Sequence, residues 1–194
     1  TGLAALRSEF LPTLYCLPSF VDAHPELVEL YPVVSAPLDG ERRARRVLAE
    51  HTWLARRTRS ADLVHHGGGT TPMLGHRPIV LTIHDLQHLT HPEYLSPRKL
   101  RYLSAMIPRS IERAATVAVP TEYVRSTVLD AYGTDPGKVV VVPHGVEPTL
   151  GSSTRSEFEL RRDHGLGAGP VLVLPAITHP HKGHRFLLEV MAEH

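Results

Sequence analysis

Ten of the 14 histidines end or follow five short apolar runs of the sequence. These residues are His65, His66, His76, His84, His88, His91, His144, His179, His181 and His184. Imidazole groups exchange protons near neutral pH and ligate metal ions, so a group of them at one place is suited to chemistry on a ligand. Surface histidines placed at random would not gather in this way. The pattern therefore predicts a binding cleft.

A glycine run follows the first apolar run and is suited to a ligand that approaches the backbone. Gly67, Gly68 and Gly69 carry no side chains, so N–H groups there could be directed at an anion. A flexible loop is the alternative interpretation of the same residues. The run is not a dinucleotide-binding fingerprint, because Pro72 stands where the third glycine belongs.

Lys182, followed by Gly183 and a predicted helix, has the arrangement of a phosphate site. The N–H groups of a helix start and the lysine charge both favour an anion, although an exposed lysine at a helix start is the alternative. His84 and Asp85 close another apolar run, so their side chains are expected to face the cleft. A histidine that only bonds the backbone at a strand end is the alternative for His84.

A metal site is a further alternative for the same region. His84, His88 and His91 could ligate zinc in a metal-dependent hydrolase. This spacing needs a helix to bring the three rings together, and Pro92 with the absence of helical apolar spacing favours a loop. We therefore expect no metal and keep the hydrolase as the alternative.

The elements that position these residues are buried parallel strands. The apolar runs lack the alternation of a half-exposed strand, which is typical of strands that are covered on both faces. They lie at 62–65, 78–83, 116–119, 138–142 and 171–174. Residues 13–17 and 31–36 also resemble strands. In open parallel sheets ligands bind beyond the carboxyl ends of the strands, which is where the histidines and glycines lie.

Helices are predicted between the strands, so the fold class is α/β, with a Rossmann-like parallel sheet and helices on both faces. They are expected at 2–9, 40–57, 96–114, 121–133, 154–165 and from 183 onward. In the second of these, Ala44, Val47, Leu48, His51 and Leu54 are predicted to face inward. Pro108 is expected to kink or split the third helix, and Thr154 with Glu157 to form a capping box.

Composition and charge exclude several classes of protein. The 194 residues carry a formal net charge of +1, so no strong field attracts nucleic acid. No apolar run approaches the roughly 20 residues that span a bilayer, and no signal peptide is visible. The single Cys16 fits a reducing compartment, so we expect a cytoplasmic protein, with peripheral contact to the inner membrane face left open. The chain starts without Met and is interpreted as a piece of a longer protein. A polar connection places the domain boundary between 1–147 and 148–194.

The segments around these strands resemble, in the same order, motifs of the retaining glycosyltransferases of family 4, which have the GT-B architecture. The matching stretches are PIVLTIHDLQH (78–88), ERAATVAVPTEYVRSTVLDAYG (112–133), DPGKVVVVPHGVE (135–147) and VLVLPAITHPHKGHRFLLEV (171–190). The resemblance covers about residues 60–194. The LPA-x-T-x-P-H-K version is similar to bacterial enzymes that build surface polysaccharide or O-antigen, often with a mannosyl donor.

The resemblance implies a role for each matching residue. His84 corresponds to a catalytic-site histidine that lies against the donor sugar. Four residues are implied in donor binding: Lys182, Gly145, His144 and His181. Four are implied on the acceptor side: Gly67, Gly68, Gly69 and Asp85. The family arginine that binds diphosphate is absent, because Ala176 and Ile177 occupy its place, and His179 or His181 is the implied substitute.

The implied reaction moves a sugar, such as mannose, from a nucleotide-diphosphate donor to an acceptor hydroxyl with retention and without a cofactor. The acceptor is not identified by these motifs. The second domain would be truncated at residue 194, so the chain alone is expected to be inactive. Two rivals remain: a non-catalytic sugar- or nucleotide-binding module, and a glycosidase. A glycosidase needs two carboxylates in one cleft, for which the strand-end segments offer Asp85, Glu93, Glu122 and Glu147.

Overall fold

The computed structural model describes residues 10–75, 78–146 and 155–193. The chain divides into two compact units, Thr1–Gly145 and Val146–His194. The predicted boundary between residues 147 and 148 lies outside the described residues, as do the predicted helix over 2–9, His76, Glu147 and Thr154.

A four-stranded parallel sheet forms the centre of the first unit. Its strands are β3 (Val64–His66), β4 (Ile79–Thr82), β5 (Thr116–Val119) and β6 (Val139–Val141), in the spatial order β3-β4-β5-β6. The register pairs Leu81 with His66 on one side and with Val117 on the other. All four strands therefore end at one edge, called here the carboxyl edge. The prediction of four parallel strands is confirmed.

The core explains why these runs become strands. Ile79, Leu81 and Val117 are completely buried, and they pack with apolar side chains of the flanking helices. β-Branched and apolar residues without alternation suit a sheet that is covered rather than exposed.

Helices flank the sheet and connect its strands. They are α5 (Gln87–Thr90), α6 (Pro97–Arg113) and α7 (Glu122–Tyr132), with 3-10 turns at Pro92–Tyr94 and Pro136–Lys138. Ser96 caps α6 and Thr121 caps α7, as predicted, because each hydroxyl accepts a hydrogen bond from a free N–H of the first turn. Gly133 ends α7 with a φ of 58°, a left-handed conformation that favours glycine. No helix among the described residues is long and apolar enough to cross a membrane.

α6 runs without interruption through Pro108, so the predicted split is wrong. Proline removes one N–H, and the carbonyl that loses its bond belongs to Ser104, four residues earlier. Ser104 is exposed, so water can donate to that carbonyl in place of the missing N–H. An exposed position reduces the cost of the proline.

The amino-terminal part of the first unit has its own two-stranded parallel sheet. It consists of β1 (Leu14–Cys16) and β2 (Val33–Ser35), with α1 (Pro18–Ala23) and α2 (Pro25–Leu30) between them. The two predicted strands are confirmed, although they form a sheet separate from the larger one. After β2 come α3 (Arg43–Ala49), a π-helical turn (Glu50–Leu54) and α4 (Ala55–Arg57).

The predicted inward face of this helical segment is wrong in part. Ala44 and Leu48 are exposed, whereas residues 43, 46, 47, 50, 53 and 54 line a cavity. The observed face is rotated by about one residue from the predicted one. Arginines and a glutamate on the lining face hide the helical pattern from a reading based on apolar residues alone.

The second unit contains α8 (Glu157–Asp163), a 3-10 turn (Pro180–Lys182) and α9 (His184–Glu193). The predicted strand over 171–174 is absent from the structure. A strand needs a neighbour for its backbone hydrogen bonds, and no other strand exists among the described residues of this unit. The predicted capping pair is also wrong, because Ser156 and Glu159 form the capping box of α8.

Candidate functional site

His84 lies at the carboxyl edge, two residues beyond the end of β4, and its side chain is exposed. Its Nε2 atom donates a hydrogen bond of 3.0 Å to the carbonyl oxygen of Gly67, just after β3. A carbonyl oxygen only accepts, so Nε2 must carry the proton and Nδ1 is left as the acceptor of the neutral ring. The buried sheet and this one bond hold the imidazole in place.

His144 follows β6 and stacks on His84. The ring centroids are 5.4 Å apart and the planes differ by 27°. Two strands that are not neighbours, β4 and β6, thus contribute one side chain each to the same place at the carboxyl edge. Gly145 comes next and leaves open space where a side chain would be. The structure therefore brings three predicted site residues together, namely His84, His144 and Gly67.

The glycine run forms the third part of this site. A Cβ atom added to Gly67, Gly68 or Gly69 would meet nothing within 4 Å, so open space surrounds the backbone. Gly69 has a φ of 78°, which residues with a side chain rarely adopt. The run therefore offers an accessible backbone, as predicted, and Gly69 provides its turn.

Contacts with two helical segments anchor the chain after the glycine run. The N–H of Thr71 donates to Ser110 Oγ over 2.9 Å, inside the protein. The N–H of Met73 donates to His51 Nδ1 over 3.2 Å. The chain is therefore held on both sides of the glycine run, by His84 at Gly67 and by these contacts from Thr71 onward.

Two histidines of β3, His65 and His66, precede the glycine run. His65 Nε2 lies 2.7 Å from the hydroxyl of Thr82 on β4. Burial lowers the pKa of His66 to about 4, and the nearby His65 and Arg113 act in the same direction. Burial also lowers the pKa of His65. Both rings are therefore neutral near pH 7 and are suited to hydrogen bonding rather than to binding an anion by charge.

Asp85 makes a local contact at the start of α5. Its Oδ1 accepts a hydrogen bond of 3.0 Å from the N–H of Gln87. The side chain is exposed beside His84, so one carboxylate oxygen is occupied by the turn and the group remains accessible. The acceptor-side position of Asp85 stays a prediction, and the structure adds a structural role in the turn.

The three histidines of the metal alternative have three separate environments. His84 bonds Gly67, and His91 lies next to Glu93 on the surface, with 3.2 Å between Nδ1 and Oε1. His88 is only 3% exposed, and its Nε2 lies 3.0 Å from the hydroxyl of Tyr132. No group of three possible ligands meets among the described residues. The structure therefore gives the metal alternative no support.

Lys182 and His181 lie in the second unit, in the turn before α9. Lys182 ends the 3-10 turn, and its side chain is exposed. Gly183 has a φ of 70°, so a glycine is favoured between the turn and the helix. The ring of His181 contacts that of His179, with 4.4 Å between the centroids. The predicted order of lysine, glycine and helix start is thus present.

The sequence interpretation missed a cavity of about 340 Å³ in the first unit. It is lined by Tyr15, Cys16, Leu17, Ala36, Leu38, Arg43, Arg46, Val47, Ala49, Glu50, Trp53, Leu54, Gly68, Thr70, Tyr102 and Leu103. The one signal available in the sequence was its composition, where Glu50 and the single Trp53 follow an arginine-rich stretch. We call it the aromatic cavity.

The strand order, the flanking helices and the polar carboxyl edge define a Rossmann-like α/β fold. The sequence profile described as Glycosyltransferase Family 4 matches residues 5–150. The chain therefore belongs to glycosyltransferase family 4.

A solved structure supports the same fold. The chain is similar to a glycosyltransferase from Rickettsia africae ESF-5, with a TM-score of 0.58 and 15% sequence identity. The similarity covers 96% of this chain and 58% of the Rickettsia chain. The protein described here thus spans little more than half the length of that structure. No curated protein sequence matches the chain significantly.

Proposed function

We propose that the chain is part of a glycosyltransferase that transfers a sugar from a nucleotide-diphosphate donor to an acceptor hydroxyl with retention. The observation that carries this proposal is the arrangement of His84 at the carboxyl edge. Its ring is held by the Gly67 carbonyl and stacked on His144, beside an open glycine backbone, in a chain of family 4.

His84 would position the donor sugar. The bond to Gly67 fixes the tautomer, so the neutral ring presents Nδ1 as an acceptor for a sugar hydroxyl. A side chain that is held before the ligand arrives loses little freedom on binding. His144 and Gly145 would border the nucleotide, where Gly145 leaves the backbone open.

Lys182 would bind the donor diphosphate, together with His181. The chemical problem of the reaction is to stabilise the departing diphosphate and an oxocarbenium-like sugar. A lysine with the N–H groups of a helix start can take up the phosphate charge without a metal. Charge-assisted contacts of this kind contribute about 1.5–3 kcal/mol. The departing phosphate itself would accept the proton of the acceptor hydroxyl, so no separate general base is required.

The glycosidase rival receives less support from the carboxylates. Glu93 lies against His91, and Glu122 forms an ion pair of 2.9 Å with Arg125. Asp85 accepts a backbone hydrogen bond, and Glu147 lies outside the described residues. None of the three described carboxylates is paired with another in the way that acid and base or nucleophile require.

Mannose is the first donor sugar to test, and synthesis of a polysaccharide or another glycoconjugate is the proposed context. Both rest on the sequence resemblance of the segment from Leu174 to Lys182. We propose that the reaction needs no cofactor, because Lys182 would stabilise the departing diphosphate, which a metal does in other nucleotide-sugar enzymes.

The experiment uses the full-length protein with GDP-mannose and a panel of other nucleotide sugars. We expect donor hydrolysis or transfer with one of them, and NMR of the product should show the anomeric configuration of the donor. Lys182→Gln should weaken donor binding and lower kcat/KM by about tenfold or more. Arg185→Gln is the matched control, since Arg185 is an exposed cation on α9 that pairs with Glu189.

Inversion of the anomeric centre would overturn retention. Failure of every donor to bind or react would overturn glycosyl transfer and favour a non-catalytic module. Equal losses in the two variants would mean that Lys182 acts only through general surface charge.

A further inference from the structure

The aromatic cavity lies entirely in the first unit and is separate from the contacts of His84. Its volume of about 340 Å³ is at the lower end of the range of about 300–1,000 Å³ that is typical of small-molecule sites. Residues from β1, the helical segment 43–54, the loop after β3 and α6 meet around it. A cavity of this size is suited to a ligand such as a monosaccharide.

One wall of the cavity is aromatic and is held in place. Tyr15 and Trp53 meet edge to face, with 6.0 Å between the ring centroids and 71° between the planes. The Tyr15 hydroxyl donates to the carbonyl oxygen of Arg57 over 3.3 Å, which fixes its outer end. Tyr102 of α6 adds a third ring. Rings of this kind provide the flat apolar surface against which the C–H face of a sugar packs.

The cavity lining also carries charged groups, which are two arginines and one carboxyl group of the helical segment. Arg43 and Arg46 of α3 line the cavity together with Glu50. Neither arginine forms an ion pair with a carboxylate within the part of the chain that the structure describes. Burial raises the pKa of Glu50, while Arg46 and Arg43 act against this effect. Two guanidinium groups against one carboxyl group leave an excess of positive charge for a ligand.

The π-helical turn explains how these groups reach one place. It contains both Glu50 and Trp53, which line the cavity with Arg43 and Arg46 of the preceding turns. Single π-helical turns inside α-helices are rare and occur often at functional sites. A helix that only packed against the sheet would be expected to present aliphatic residues at these positions.

The cavity also shares a loop with His84. Gly68 and Thr70 line the cavity, and the neighbouring Gly67 carbonyl accepts the His84 hydrogen bond. Neighbouring residues of one loop therefore contribute to the cavity and to the His84 contact.

We propose that the aromatic cavity binds an anionic sugar, in which a phosphate or carboxylate group contacts Arg43 and Arg46 and the ring packs on Tyr15 and Trp53. Guanidinium groups match both anions through paired N–H donors. The Glu50 carboxyl group and the Tyr102 hydroxyl are available for ring hydroxyls. That this sugar is the acceptor substrate rests on the proposed function, whereas its binding does not.

Two residues make the test direct. Trp53 is the only tryptophan and Cys16 the only cysteine of the chain, and both line the cavity. Tryptophan fluorescence therefore reports on this cavity, and the rate of Cys16 alkylation by iodoacetamide gives an independent measure of its occupancy. Neither readout depends on catalysis or on Lys182, so a failure here is distinct from a failure of the proposed function.

The probes are glucose 1-phosphate, glucuronate, glucose and inorganic phosphate. We expect a saturable fluorescence change and slower Cys16 alkylation with at least one of the two anionic sugars. Glucose and inorganic phosphate should bind at least tenfold more weakly, because each makes only part of the contacts. A preference between glucose 1-phosphate and glucuronate identifies phosphate or carboxylate as the anionic group.

The matched variants are Arg46→Gln and Arg45→Gln. Arg45 is an exposed residue of the same helix and does not line the cavity. Arg46→Gln should weaken binding of the anionic sugar about tenfold and leave the affinity for glucose unchanged, since one charge-assisted contact is lost. Arg45→Gln should leave both affinities unchanged. Because both arginines are exposed, both variants should fold, and Trp53 emission without ligand checks this.

Three results would overturn the proposal. One is the absence of binding by both anionic sugars up to millimolar concentration. Another is equal affinity for glucose and the anionic sugars. The third is an equal loss of affinity in the Arg45 and Arg46 variants, which would indicate attraction by the general charge of α3 and not contact in the cavity.

Discussion

The two units of the chain differ in how their site residues are supported. In the first unit, His84 follows a strand with two completely buried residues, Ile79 and Leu81. In the second, Lys182 follows a segment without strand structure, and no described residue from 155 to 193 is buried. Leu172 and Val173, which resemble core residues in the sequence, are 67% and 77% exposed.

This difference separates two kinds of site residue. A side chain at the end of a buried parallel strand has its position fixed by the sheet, whatever the ligand does. A lysine in a surface turn keeps its freedom, so ligand binding must also restrict it, which costs free energy. We therefore expect His84 to be preorganised and Lys182 to be ordered by the donor.

The largest expected effect concerns stability. Leu81→Ala should lower the free energy of unfolding by about 2–5 kcal/mol, because a completely buried leucine leaves a cavity. Leu172→Ala should change it by less than about 0.5 kcal/mol, since that side chain is largely exposed. Urea unfolding followed by circular dichroism and by Trp53 fluorescence measures both variants. Similar losses would contradict the contrast between the units, because Leu172 would then be packed in a core.

A smaller effect is expected from pH. The pKa of His66 is lowered from 6.5 to about 4 in the folded chain, mainly by burial. As pH falls below 6.5 the unfolded chain takes up the proton first, so the free energy of unfolding should decrease towards pH 4 and then level off for this group. The contribution is about 1–3 kcal/mol, reduced from the full shift because the ring keeps some contact with solvent.

His66→Gln should remove that part of the pH dependence. The measurement is urea unfolding of the 194-residue chain at pH 7 and pH 5. Trp53 fluorescence follows the unfolding of the first unit, in which Trp53 lies. His164→Gln serves as the control, since His164 is exposed in the second unit. An unchanged slope in His66→Gln would show that the ring is not protected from protons in the folded state.

The four strands of the larger sheet could be predicted because their pattern is local. Each apolar run is followed by a polar turn, and burial on both faces leaves no alternation to misinterpret. The caps of α6 and α7 were predictable for the same reason, because Ser96 and Thr121 act on the next three residues. The gathering of His84, His144 and Gly67 followed from the rule that parallel strands end at one edge.

Features that depend on distant residues could not be predicted. The segment 171–174 has the composition of a strand, but a strand forms only where a neighbour accepts its hydrogen bonds. The aromatic cavity joins Tyr15, the turn that contains Glu50 and Trp53, and Tyr102, which are far apart in the sequence. Its arginines and glutamate occupy positions where an amphipathic pattern expects apolar residues, so the helical face was misplaced by about one residue.

The central claim is that His84 is a site residue held by the sheet, and its substitution tests this most directly. In the full-length protein, His84→Ala should lower turnover about 100-fold or more, the scale of a lost positioned catalytic group. The free energy of unfolding, measured by urea unfolding with circular dichroism, should change little because the side chain is exposed. His91→Ala, an exposed histidine of the same segment, should keep full turnover. Unchanged turnover in His84→Ala, or unfolding of that variant, would contradict the account and leave His84 as a structural residue at a strand end.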